Sequence, residues 1–450
     1  SGSSSSTCIG TACMVKDINA SGNSFGHYPP VMVTIGNTFY FVAEDGINGE
    51  ELWKSDGTAS GTMMVKDINV SGNGASWHNN VAVIGNTLYF TADDGTNGNE
   101  LWKTDGTASG TVMVKDINSG SSTSNIQLLT PIGNTIYFQA NDGVHGQELW
   151  KSDGTSSGTV MVKDIDNGSS GSWPGDFEVI GNTLYFSASE SLSTGLELWK
   201  SDGTASGTVL VKDINSGSDS SSPEDLIAVG NTLYFTADDG THGEELWKSD
   251  GTTAGTVMVK NIGTGGLGAE GSGIEHISVA GNYIYFAAKP SLSVTSLFRS
   301  DGTAAGTVVI KANDFIWTKP TITIGNTLFF VGGSTYNATI WKSNGTSSGT
   351  TMAVDVLPQT NTLHTMGGDT YGIGGKRCDR NVGNSFYFMA RDHGAGGGLD
   401  TRYLWKTDGT ASGTVQVKDV NNANVTGGWS TCGIIGDTLF FVKQDTRQLW

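Results

Sequence analysis

Charge is scarce in this sequence. Asp, Glu, Lys and Arg make up 15% of its 450 residues, where about 25% is usual. Basic residues are the scarcer sign, 25 against 44 acidic, for a net charge of −19. That balance excludes nucleic-acid binding, or attachment to an anionic membrane, through a basic face. No run of about 18 apolar residues occurs, so no transmembrane helix and no membrane insertion are expected. Cysteine is limited to four residues, too few for a disulfide-rich scaffold but enough for two bridges. No signal-peptide pattern opens the chain, and the Ser-rich start reads as a linker or a terminus left after processing. Two familiar catalytic patterns are missing as well: there is no H-E-x-x-H and no phosphate-cradling G-x-x-x-x-G-K.

Glycine is what the chain has in excess, 65 residues, about double the typical share. Collagen is excluded because there is no G-X-Y period, and 12 Trp, 12 Tyr and 17 Phe exclude a disordered chain. With so much Gly, Ser, Thr and Asn, long helices are not expected.

The excess follows a repeat. A Gly-Asn or Gly-Asp turn recurs with its glycine at Gly36, Gly85, Gly133, Gly181, Gly230, Gly281, Gly325, Gly383 and Gly436, a mean period of 50. A tryptophan landmark follows at Trp53, Trp102, Trp150, Trp199, Trp247, Trp341, Trp405 and Trp450, with Phe298 in unit six. Each unit reads as four short antiparallel strands, as in Val81 to Ile84, Thr87 to Ala92, a third strand around Leu101-Trp102, and Val112 to Ile117. Four strands every 50 residues match a propeller blade. The chain stops at Trp450, part-way through unit nine, and Met14 to Asn19 copies the fourth strand Met113 to Asn118. Borrowing that strand would close a ring and hide both sheet edges. The expectation is therefore an all-β, single nine-bladed propeller over 1–450, with eight blades as the alternative. Residues 1–13 form a Ser-rich start and Cys loop, 14–19 the closing strand and 357–381 an irregular insertion.

The octet Glu51-Leu52-Trp53-Lys54-Ser55-Asp56-Gly57-Thr58, repeated from Glu100, Glu148, Glu197 and Glu245, resembles the ELWxxDGT repeat family. Units six to nine depart from it, with Phe298 for Trp, Asn344 for Asp and Tyr403 for Glu. The resemblance implies a secreted or surface-displayed bacterial β-propeller and implies little about ligand. The Ser-Asp-Gly-Thr hairpin also looks like the Asp-box turns of sialidase-type propellers, which says nothing about catalysis.

Turns that hardly vary read as scaffold. The landmark tryptophans read as packing between blades, and the Lys of the repeated Val-Lys-Asp-Ile as solvated. Functional groups favour variable loops on a rigid frame. One candidate set is aromatic: Tyr28, Trp77, Trp173 and Trp317 lie eight residues before the turn glycine and Trp429 seven before, while Asn125, Ser222, Gly273 and Gly375 occupy the position in other units. A structural position should be filled in every unit, so these suit stacking on sugar rings, or else they plug the channel mouth. The acidic pairs Asp93-Asp94 and Asp238-Asp239 could hold calcium, or serve as solvated turn residues. Five of the six arginines fall between Arg377 and Arg447. Arg377, Arg380, Arg391 and Arg402, with His393, form a candidate site for a carboxylate, sulfate or phosphate, against the alternative of ion pairs pinning a loop.

First and fourth strands of one blade lie about 14 Å apart, and a disulfide needs Cα atoms within about 7 Å. The expected bridges are therefore Cys378–Cys432 and Cys8–Cys13, which imply an extracellular or cell-surface location. The favoured function is a non-enzymatic adhesin or lectin-like binding module for a glycan or cell-surface protein. An enzyme acting on an acidic glycan, with Asp379, Asp392 or Asp400 as acid or base, and a self-assembling filament or surface protein are the alternatives.

Overall fold

The computed structural model describes residues 14–19, 24, 32–75, 80–190, 194–263, 271–291, 294–312, 316–334, 337–354, 380–382, 385–392, 401–408, 410, 412–417, 429–435, 438–443 and 448–449. Among them every regular element is a strand. The strands form eight four-stranded sheets and one three-stranded sheet, each an antiparallel meander in chain order. Unit two is representative, with strands Val81–Ile84, Thr87–Asp93, Asn99–Thr104 and Val112–Lys115. Strand four is shorter than its apolar run because a bulge falls between Leu101 and Trp102, where Leu101 pairs with Lys115 and Trp102 with Met113.

Local chemistry makes each sheet. The glycine of the Gly-Asn turn takes a left-handed backbone, with φ +59 at Gly85, which L side chains adopt only at a cost. The second hairpin is a closed hydrogen-bonded unit. Asp56 Oδ1 accepts from the N–H and hydroxyl of Thr58 at 2.9 and 2.7 Å. Gly61 N–H then donates to Thr58 Oγ1 and the Thr62 hydroxyl to Thr58 O. These bonds hold the Asp56 carboxyl below its ordinary value, led by the Thr58 hydroxyl.

The core lies between consecutive sheets. One cluster joins Tyr40, Val42, Leu52 and Val65 of unit one to Leu88, Phe90 and Trp102 of unit two, so the landmark tryptophan packs on the preceding unit. The repeated lysines are half-buried latches, which corrects the expectation of solvated side chains. Lys66 Nζ donates to Thr111 O at 2.9 Å and sits 5.6 Å from the centroid of the Trp102 ring. Lys54 Nζ donates to Gly106 O at 2.9 Å. The same two reaches recur at the following boundaries, as in Lys115 to Thr159 O and Lys103 to Gly154 O.

The two ends of the described chain also meet. Val15 N–H donates to Leu449 O at 2.8 Å, Lys16 bridges Leu449 antiparallel, and Lys16 Nζ donates to Thr62 O at 2.7 Å. The insertion expected over 357–381 lies outside the described residues except at its end, where Arg380–Val382 is a strand.

Candidate functional site

Glu51, Glu100, Glu148, Glu197 and Glu245 are fully buried. Each pins the end of strand four and the connection to the next unit. Glu148 accepts from Ile165 N and Asp166 N at 3.1 and 3.3 Å, and from Ser172 N and Ser172 Oγ at 2.8 and 2.7 Å. Burial pushes Glu51 and Glu100 up to about 7 against the pull of their backbone donors. These carboxyls are enclosed and serve the frame.

The connection they pin leads into strand one, and strand one carries the strain. First strands of successive units lie against one another. In units three to six the strand bulges, with register shifts beside Gln139, Glu178, Ile227 and Ser278. Two residues per bulge are left-handed: Asn125 and Leu128, Trp173 and Asp176, Ser222 and Asp225, and Gly273 and His276, all with φ between 47 and 63. A non-glycine residue held there costs roughly 1–2 kcal/mol, and bulges of this kind re-aim side chains.

In units three to six the position eight before the turn is left-handed, a backbone that Asn, Ser and Gly adopt readily. Trp173 is the exception, an exposed indole at φ +51 whose Nε1 donates to Ser170 O at 3.1 Å. Tyr28 and Trp77 lie outside the described residues, and Trp317 and Trp429 are described only as strand backbone, paired with Gly332 and Lys443.

The bulges of units four and five bring carboxylates together. Asp176 is exposed, and its pKa is pushed up to about 6, first by desolvation from the protein around it and then by the like charges of Glu224 and Asp225. Burial, with Glu224, Asp225 and Glu245 nearby, also raises Glu244. His276 lies in the next bulge, its Nε2 4.0 Å from a Glu275 oxygen. A carboxyl poised near 6 among other carboxylates is suited to proton transfer. Sequence reasoning missed Asp176, Glu224 and Asp225. The available signal was the pair Trp173-Pro174-Gly175-Asp176 and Ser222-Pro223-Glu224-Asp225 at matching distances from their turns.

The acidic loops are built differently. Asp94 Oδ1 accepts from Thr96 N and Asn97 N, both at 2.9 Å, and its Oδ2 from Asn97 Nδ2 at 2.8 Å. Asp239 repeats this with Thr241 N, His242 N and the His242 ring. Asp93 and Asp238 each accept the N–H two residues on. Burial pulls Asp94 upward and its donors outweigh it, holding the carboxyl below its ordinary value. Among the described residues no three His, Cys, Asp or Glu side chains form a metal-holding group.

Arg391 and Arg402 are cross-strand partners in the unit-eight sheet, and Arg380 pairs with Tyr387. Arg377, His393, Asp379, Asp400, Cys8, Cys13 and Cys378 lie outside the described residues, while Cys432 and Asp392 are described as strand backbone.

No protein-family profile and no curated protein matches the chain. Among solved structures it is similar to a puromycin hydrolase at 13% identity and a TM-score of 0.41, covering 84% of this chain and 60% of that one. A structure from a study of two prolyl endopeptidases matches at 11% and 0.42, covering 84% and 55%. The β-propeller domain of the Trilobed protease from Pyrococcus furiosus matches at 10% and 0.36, covering 70% and 96%. The chain thus spans less than two thirds of the first two enzymes. At such identity the likeness is one of fold, repeated four-stranded antiparallel sheets in a β-propeller. The named proteins are peptidases and a protease domain, and the expected non-enzymatic adhesin or lectin-like module is not retained.

Proposed function

We propose that the chain is a closed nine-bladed β-propeller that works as an enzyme module, with a proton-transfer centre on the inner strands of units four and five. Asp176 is the general base, Glu224 and Asp225 tune it by charge, and the substrate is positively charged. Nine sheets among the described residues and the Lys16 contacts with Leu449 and Thr62 support nine blades and closure. Lys16 makes the same reach to the next unit that Lys66 makes to Thr111, as a closing strand should.

The observation carrying the enzymatic reading is Asp176 itself, strained at φ +51 and titrating near 6 among like charges. Strain and perturbed acidity together mark sites kept for chemistry rather than stability. The clustered carboxylates and the net charge of −19 favour a cationic substrate.

A panel of cationic, neutral and anionic peptides and amines, assayed for turnover across pH with wild type and Asp176→Asn, tests the reading. Turnover should be confined to cationic members, rise through about pH 6, and be lost in Asp176→Asn. No turnover of any member, or an unchanged Asp176→Asn enzyme, overturns it.

A further inference from the structure

We infer that Glu178 is a positioning residue for this centre: by accepting the main-chain N–H of Ala228 in the next unit, it holds the left-handed bulge that carries Asp225. The inference rests on the acid–base reading above and extends it to a residue outside the cluster's own bulges.

Strand one of unit five, Glu224–Val229, is the edge of its sheet. N–H groups on its outer side have no ladder partner. Asp225 sits at φ +53 where the register slips between Glu224 and Ile227. A strained bulge on an edge strand persists only if something outside the sheet holds it. Glu178, half-buried on strand one of unit four, supplies that hold: its Oε1 accepts from Ala228 N at 2.9 Å, just past the bulge.

A chemically different side chain does the same one pair of units earlier. Asn80 of unit two accepts from Leu128 N at 3.0 Å and donates through Nδ2 to Ile126 O at 2.8 Å. Those bonds grip the chain at Leu128 N and just before it, where Leu128 turns to φ +60. Leucine has no polar group of its own to offset a left-handed backbone, so the clamp from the preceding unit accounts for its position. In units three and five the strained inner strand is thus gripped by a side chain reaching from the unit before it.

The charged groups around the aimed residue are Asp176 on unit four, Glu224 beside Asp225, and Glu244 with Glu245 on strand three of unit five. Glu178 is itself a carboxylate, so its charge must be separated from its hydrogen bond. Glu178→Gln and Glu178→Ala both remove the charge, but only glutamine keeps an oxygen that can accept from Ala228.

The experiment measures Ala228 amide exchange and the Asp176 carboxyl titration by NMR on the full chain. Glu178→Gln should keep Ala228 protected and keep Asp176 titrating well above an ordinary aspartate. Glu178→Ala should speed Ala228 exchange about tenfold and lower the Asp176 titration by the part of its shift that Asp225 supplies, leaving the larger parts from desolvation and Glu224 in place. Asn80→Ala, read at the Leu128 amide, repeats the test on a second bulge should Glu178→Ala fold poorly. Identical Asp176 titration in the two Glu178 variants, or unchanged Ala228 exchange in Glu178→Ala, overturns the inference. None of these readouts needs a substrate, so absent turnover alongside the expected NMR pattern would sink the enzymatic reading alone.

Discussion

Units one to five and unit six solve the same packing problem with different residues. In the first five, strand three presents a buried Glu, a landmark Trp and a latch Lys, as in Glu245-Leu246-Trp247-Lys248. Unit six presents Ser296-Leu297-Phe298-Arg299. Phe298 stacks on Phe286 with centroids 5.5 Å apart and planes at 7°, and Arg299 lies 4.4 Å from the centroid of the Tyr283 ring. Ser296 is buried where the carboxylate stood. Units seven and eight replace the Glu alone, with Thr339 before Trp341-Lys342 and Tyr403 before Trp405-Lys406, so the carboxylate, which satisfies backbone N–H groups of the connection that follows, is separable from the Trp and Lys. The comparison separates the meander, which tolerates either set, from the carboxylate clasp, which belongs to five connections.

The largest effect should come from removing one clasp. Glu148→Ala leaves four donors without their acceptor in a buried place and should cost about 3 kcal/mol in urea unfolding. A loss under about 1 kcal/mol would mean that the regular units need the carboxylate no more than unit six does. A smaller effect separates the two turn types. Gly154 has φ +85, and an added Cβ would run into the Tyr89 hydroxyl of the preceding unit, so Gly154→Ala should cost about 2 kcal/mol. Gly133 has φ +59 with nothing within 4 Å, so Gly133→Ala should cost only about 1 kcal/mol. Equal losses would show that the second turn is not wedged between units.

The smallest expected effect is on pH dependence. Glu51 and Glu100 are raised to about 7 in the fold from an ordinary 4.5, so the folded state holds their protons more tightly. Their contribution is fully present below about pH 4.5 and is lost as pH rises through about 7. Stability should therefore fall between those values. The double variant Glu51→Gln, Glu100→Gln should flatten that limb. An unchanged slope would assign the pH dependence to other groups.

Much of the frame was legible in sequence. The Gly-Asn turns, the Asp-Gly-Thr hairpins and the alternating strands declare themselves within a few residues, because their causes are local: left-handed φ, side-chain-to-backbone bonds and period-two burial. The latches of the Val-Lys-Asp-Ile lysines were misread because their acceptors lie in the next unit, 44 residues on from Lys115 to Thr159 and 45 from Lys66 to Thr111. The left-handed φ at Asn125 and Ser222 likewise cannot be seen from residue identity alone.

By itself the sequence determined the repeat, the four-stranded unit and the acidic balance, because these depend on residue type and spacing within one period. Tertiary structure decided which carboxylates are enclosed by donors and which stand exposed beside one another. It also decided which inner residues are strained and which side chains of the preceding unit hold them. Those properties arise between units, where solvent exclusion and like charge act on groups about one whole period apart.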